Sequence, residues 1–265
     1  MTEPALLVET HGPVTRLVMN RPQAMNALNL AMFDCFKAEL PRLAADDACR
    51  VLILTGAGAA FCAGADLKQA LAGQPVPGEP DFLDRARAVL ELLAAFPKPV
   101  IAALNGVTMA GGLELAMCAD ILIAAESAQI GDGHANFGVF PGGGGAAVLP
   151  RVVPLNAAMY LLLTGKTLPA AEFKALGLVS EVHPDAELGD ASLKLAQTIA
   201  LKSPIALCRM KEVARSSADK SRADALLHEQ VMLRQHQRSA DLAEGIAAFA
   251  EKRAPRFSGR QGGIR

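Results

Sequence analysis

The chain has 265 residues, 51% of them apolar, and carries 26 basic against 27 acidic side chains for a formal net charge of −1. That is enough apolar material for one large domain, or a main domain with an appendage, and the charge balance argues against a sequence-independent grip on nucleic acid. The five cysteines, Cys35, Cys49, Cys62, Cys118 and Cys208, form no CxxC pair, so they specify neither a zinc knuckle nor a disulfide framework and fit a reducing compartment.

The opening MTEPALLVETHG has Glu3 and Glu9 and no basic run ahead of an apolar stretch, unlike a secretory signal. No segment reaches the ~18 to 20 apolar residues of a membrane span, because Glu114 and Asp120 interrupt the richest apolar region. The runs ALLVET and VTRLVMN flank His11-Gly12-Pro13 and predict a hairpin that Asn20-Arg21-Pro22 ends. Residues 30–45 have helical spacing, with Phe33, Phe36, Leu40 and Leu43 on one face and Pro41 as a break signal in the second half. Continuous apolar strands are expected at 51–56 and 99–106, the second bracketed by helices at 91–95 and 112–118. The Pro-rich stretch 74–81 reads as a mobile surface loop. A last strand is expected at 178–183, and from Glu187 the pattern is helical with breaks near Ser203-Pro204 and at 216–220.

Two stretches suggest chemistry. AFCAGADLKQ, residues 60–69, leaves a strand through Ala63, Gly64 and Ala65 and enters a helix with Asp66 in its first turn, so that a ligand oxygen can approach a main-chain N–H. NGVTMAGGLELAMCAD, residues 105–120, repeats the device with a helix starting near Gly111-Gly112. Two backbone donors converging on one oxygen stabilise an enolate or a tetrahedral anion. Glu114 is the only charged side chain between Pro99 and Ala119, standing among Leu113, Leu115, Ala116 and Met117. A carboxylate there is on an exposed helix face, paired, protonated or functional. In AQIGDGHANFGVFPGGGG, residues 128–145, His134 is a candidate proton carrier or a polar residue at a loop edge. Asp132, two residues before His134, is placed to orient an imidazole or to cap a turn, with the turn favoured, and Gly142 to Gly145 reads as a flexible entry to the next helix, since no Gly-Lys-Ser/Thr follows. Tyr160 reads as a packing residue of a helix, and His11, His183, His228 and His236 as surface or turn residues.

With these residues in view, the chain resembles the crotonase superfamily of acyl-CoA enzymes, also called the enoyl-CoA hydratase and isomerase family. The likeness covers NRPQAMNALN, VLILTGAGAAFCAGADLK, KPVIAALNGVTMAGGLELAMCAD, FGVFPGGGG, LTGKTLPAAEFKALGLVSEV and EGIAAFAEKR. It implies an α/β fold: a crotonase-like spiral of ββα units in two nearly perpendicular sheets over residues 1–200, and a helical C-terminal region, 201–265, that builds trimers or hexamers. It also implies an acyl-CoA thioester substrate, no permanently bound cofactor and no metal. The thioester carbonyl would be held by the N–H groups of Ala65 and Gly111. Coenzyme A contacts would come from Ala63, Asp66, Leu67, Lys68 and Lys252, the last reaching a neighbouring subunit in some members.

Family hydratases use two glutamates around the double bond. Glu114 matches the first, while aligning Ile130-Gly131-Asp132-Gly133-His134 on the FGxPE motif puts His134 at the second, 20 residues further on. A histidine can still move protons near neutral pH. The resemblance therefore implies a lyase of fatty acid metabolism, a cytoplasmic enoyl-CoA hydratase-like enzyme in which Glu114 and His134 form the acid/base couple around a thioester enolate. Double-bond isomerisation is an alternative. So is carbon-carbon hydrolysis of a cyclic β-diketone, whose family members pair the histidine with an aspartate where Gly143 stands. A third is an RNA-binding member, for which the basic stretches 202–215 and 252–260 are modest. No nucleic-acid partner and no membrane association is expected.

Overall fold

The structure, a computed structural model, describes residues 4–72 and 78–259, so the loop expected at 74–81 lies partly outside the described residues. Strands β1 (Leu6–His11) and β2 (Val14–Met19) form the expected hairpin, antiparallel from Leu6 opposite Met19 to His11 opposite Val14. Helix α1 (Leu30–Ala45) runs unbroken through Pro41. Pro41 removes the N–H that would meet the Lys37 carbonyl, but both residues are on the exposed side, where solvent can reach that carbonyl. Met32, Phe33, Phe36, Leu40 and Leu43 meanwhile bury the opposite face.

Three ββα units follow. The first is β3 (Val51–Gly56), β4 (Ala60–Cys62) and two helices, α2 (Leu67–Ala70) and α3 (Phe82–Ala94). The second is β5 (Val100–Leu104), β6 (Val107–Met109) and α4 (Gly111–Ala116). The third is β7 (Ile121–Ala125), β8 (Gln129–Gly131) and a 3-10 turn, His134–Phe137. Beyond it come α5 (Leu149–Val152), α6 (Leu155–Thr164), β9 (Thr167–Pro169), α7 (Ala170–Ala175) and β10 (Glu181–His183). The first strand of each unit enters a six-stranded sheet of order β1-β2-β3-β5-β7-β10; the second enters a four-stranded sheet of order β4-β6-β8-β9. Pairing is parallel along β2, β3, β5, β7 and β10 and along β4, β6 and β8. Every residue of β5, four of six in β3 and four of five in β7 are buried, as strands covered on both faces require.

Each unit must turn sharply from one sheet to the other. Asn105 braces one such corner, accepting from the Gly56 amide at 3.0 Å and donating to the Gly58 carbonyl at 2.9 Å. Gly112 serves the next step: a β-carbon there would collide with the Cys62 carbonyl oxygen, so only glycine lets α4 lie against the end of β4.

The tail is helical as expected: α8 (Leu188–Ala200), α9 (Pro204–Ser217), α10 (Arg222–His236) and α11 (Ala240–Ala250). Neither α9 nor α10 buries any residue fully, and Leu226, Leu227, Val231 and Leu233 are exposed.

Several expected boundaries shift. Helix α3 starts at Phe82 rather than residue 91, because Asp81 and Asp84 form a reciprocal capping box and the Phe82 ring packs edge-on to Phe33 at 5.1 Å. Helix α4 spans Gly111–Ala116 rather than 112–118. The last strand begins at Glu181 rather than 178, since the amides of Leu178 and Val179 turn back to the Phe173 carbonyl and close α7. Tyr160 is 44% exposed on α6, with the Lys166 ammonium 5.7 Å from its ring centre, so it does not serve as core packing.

Replacing Gly112 by Ala should lower the unfolding free energy by about 2 kcal/mol through overpacking against β4. Urea denaturation checks this, and unchanged stability would show that the corner has room to yield.

Candidate active site

The turn after β4 is held by the segment 20–29. Ala63 N–H donates to the Met25 carbonyl (3.0 Å), Leu28 N–H to the Gly64 carbonyl (2.8 Å) and Asp66 N–H to the Leu28 carbonyl (2.8 Å). This is an isolated parallel bridge between Leu28 and Ala65. Because the groups flanking Ala65 face Leu28, Ala65's own N–H points the other way, and it has no acceptor among the described residues.

The segment itself depends on two residues that the sequence alone does not single out. Asn26 is fully buried in the left-handed region (φ 55°). Its Oδ1 accepts from Arg21 N–H at 2.9 Å, and its Nδ2 donates to the carbonyls of Ala57 (2.9 Å) and Ala60 (2.7 Å). The Arg21 guanidinium donates to the Ala27 carbonyl (2.5 Å) and to the Asp66 carboxylate (3.0 Å). Asp66 also caps α2 through the Gln69 amide, so its carboxylate is engaged on both sides. Leu67 and Lys68 are exposed on α2, Lys252 is exposed with φ 55° just past α11, and neither lysine forms an ion pair among the described residues.

The second turn follows β6. Ala110 has φ 50° and ψ −121°, a conformation that costs a non-glycine residue about 1–3 kcal/mol. It is held by its N–H to the Gly131 carbonyl (3.1 Å) and by the Glu114 N–H on its own carbonyl (3.0 Å). Gly111 then opens α4 with an N–H that has no intrahelical acceptor. The two turns touch: a β-carbon built on Gly111 would lie 3.5 Å from the Ala65 nitrogen, and one built on Gly64 would lie 3.6 Å from the Gly111 nitrogen. Two amides without an acceptor among the described residues thus lie side by side.

Glu114, three residues into α4, is 5% exposed, so the exposed-helix alternative fails. Its Oε1 accepts from the amides of Gly143 (2.8 Å) and Gly145 (2.9 Å), while Oε2 has no partner among the described residues and is not sealed from solvent. The glycine run is therefore a backbone clamp on a carboxylate and not merely a flexible entry to α5. A β-carbon on Gly143 would stand 2.7 Å from Oε2.

Asp132 is also more than a turn cap. It is 1% exposed, and its Oδ1 accepts from both the His134 backbone N–H (3.3 Å) and the imidazole Nδ1 (2.9 Å). Burial pulls the imidazole pKa down, but the hydrogen bond and charge of Asp132, with the charge of Glu114, outweigh it and hold His134 above its ordinary value. The ring is 12% exposed and its Nε2 has no partner among the described residues. Asn136 bonds the Gly165 carbonyl instead of the imidazole.

Among the described residues no three His, Cys, Asp or Glu side chains gather as a metal site, and no helix is long and apolar enough to cross a membrane.

Residues 9–260 match the Enoyl-CoA hydratase/isomerase family. A probable enoyl-CoA hydratase of Mycobacterium bovis is 38% identical over 260 residues, 98% of this chain and 100% of that protein. One from Rhizobium meliloti is 39% identical over 261 residues, again 98% and 100%. The crystal structure of an enoyl-CoA hydratase from Bacillus anthracis is similar with a TM-score of 0.92 at 35% identity, covering 97% of this chain and 100% of that one. The crotonase-like α/β fold is the one present.

Replacing Asn26 by Ala leaves one buried amide and two carbonyls without their partner and should lower stability by about 3 kcal/mol. Chemical denaturation measures this, and a change below about 1 kcal/mol would mean that water replaces the side chain.

Proposed function

Because this chain belongs to the enoyl-CoA hydratase/isomerase family, we propose that it adds water to the double bond of a 2-enoyl-CoA thioester, with no permanently bound cofactor. The observation that carries this reading is the pair of acceptor-free amides at Ala65 and Gly111 beside a buried carboxylate whose Oε2 is left open.

In this mechanism the two amides bind the thioester oxygen and stabilise the negative charge that builds there as the enolate forms, an effect typically worth ~10² to 10³ in rate for one donor. Glu114 Oε2 takes a proton from water as its oxygen bonds to C3. His134 delivers a proton to C2, and the enolate collapses to the saturated thioester. The couple then holds one proton on Glu114 and lacks one on His134, and exchange through solvent restores both.

Coenzyme A lies along Ala63, Asp66, Leu67 and Lys68, with Asp66 contributing main chain because its carboxylate is engaged by Arg21. Lys68 and Lys252 meet its phosphates, Lys252 from a neighbouring subunit. The exposed apolar residues of α9 and α10 suit burial in a trimer or a hexamer. The protein works in the cytoplasm, consistent with five free cysteines.

One observation favours a second reading. Hydrolytic cleavage of a β-diketone wants an acid behind the histidine, and although Gly143 supplies none, Asp132 stands there instead. The double-bond isomerase reading lacks a carboxylate at the place of His134, and for the RNA-binding reading the basic stretches 202–215 and 252–260 are modest.

A panel of 2-enoyl-CoA esters, followed by loss of conjugated thioester absorbance, tests the first reading. Glu114→Gln should lower turnover by ~10² or more. Undiminished activity would remove Glu114 from the chemistry, and turnover of a cyclic β-diketone without coenzyme A would favour the second reading.

A further inference from the structure

We propose that Asp132 is a positioning residue that decides which way protons flow in this site: by accepting the Nδ1–H of His134 it presents Nε2–H to the cleft as the acid, leaving Glu114 as the base. This rests on the hydratase reading and adds to it the group that sets the imidazole.

Three observations converge. First, one oxygen of Asp132 receives both the main-chain N–H and the ring Nδ1 of His134, so the carboxylate fixes the ring's position and its rotation together. A neutral ring held this way keeps its proton on Nδ1. Second, the other oxygen, Oδ2, is buried and has no partner among the described residues, so none of their donors draws the carboxylate away from the imidazole. It lies against Gly145, where a β-carbon would collide with it, and the same Gly145 amide bonds Glu114. One glycine therefore separates the two carboxylates. Third, no lysine or arginine pairs with Asp132 or Glu114 among the described residues, which leaves the imidazole as the cation available to two buried acids.

The charged groups acting on the ring are Asp132 and Glu114, and both favour the imidazolium. Helix α6, packed against the 3-10 turn that carries His134, brings no ionised side chain; Tyr160 is its titratable group. A family pair of two glutamates needs one of them protonated before it can donate. Here the donor is an imidazolium stabilised by its own buried counter-ion, so the ready state is an ionised Glu114 opposite a protonated His134. Proton balance then follows: water gives H to Glu114 and OH to C3, and Nε2–H gives H to C2. In the unprotonated ring the donor is lost, so kcat should fall as pH rises through the raised pKa of His134.

Asp132→Asn, His134→Ala and the double variant test this, together with nitrogen-15 spectra of the imidazole. Wild-type spectra should show the neutral ring protonated on Nδ1. In Asp132→Asn the His134 titration should move to lower pH, the alkaline limb of the kcat profile should move with it, and kcat should fall by ~10² with little change in KM. The double variant should be no slower than His134→Ala, because Asp132 acts through the ring. An unmoved titration, a neutral ring protonated on Nε2 in the wild type, or an equal loss from Asp132→Asn with and without His134 would each overturn the proposal. Failure of the hydratase reading looks different: the wild type would then be inactive on every enoyl-CoA ester, while the spectra still report whether Asp132 holds Nδ1.

Discussion

Two peptide N–H groups without an acceptor among the described residues, at Ala65 and Gly111, are the constraint around which the chain is built. A protein normally pairs such groups, and leaving two of them on one gap requires the surrounding backbone to be held firmly. At Ala65 the hold is the bridge to Leu28, whose register turns the amide away from its own neighbours. That bridge in turn stands on buried Asn26 and on the Arg21–Asp66 ion pair. At Gly111 the hold is a strained Ala110, fixed on one side by Gly131 and on the other by the first turn of α4.

The sheet topology explains why both turns arrive together. Each ββα unit repeats the same step from the six-stranded to the four-stranded sheet, so β4 and β6 lie side by side and their exits are neighbours. The third unit adds the Asp132–His134 pair: β8 pairs with β6 and ends at Gly131, and both residues follow directly. The groups of the candidate site thus come from three successive units of the chain. The glycine loop joins the arrangement, its amides on Glu114 and its bare α-carbons making room for two carboxylates.

Much of this was legible from local signals. Asn29 caps α1, and its apolar spacing gave both ends of that helix correctly; β3 is an uninterrupted apolar run. The small residues at 63–65 and Gly111-Gly112 marked both turns, because a bare backbone allows close approach. What escaped was non-local or short. The acceptor of the Gly143 amide is 29 residues away, and the partner of Arg21 is 45 away, so neither glycine nor arginine advertises its role. The three-residue strands β4, β6, β8 and β9 are too brief for periodicity to show. Asp132 misled for a different reason: an aspartate two residues before a histidine caps a turn and also orients a ring, and only the geometry reveals that it does both.

A crystal structure of the protein with a slowly reacting acyl-CoA thioester tests the central claim most directly. The thioester oxygen should lie about 2.7–3.1 Å from the nitrogens of both Ala65 and Gly111. A bound thioester whose oxygen meets neither amide, or meets only one while water takes the other, would contradict it.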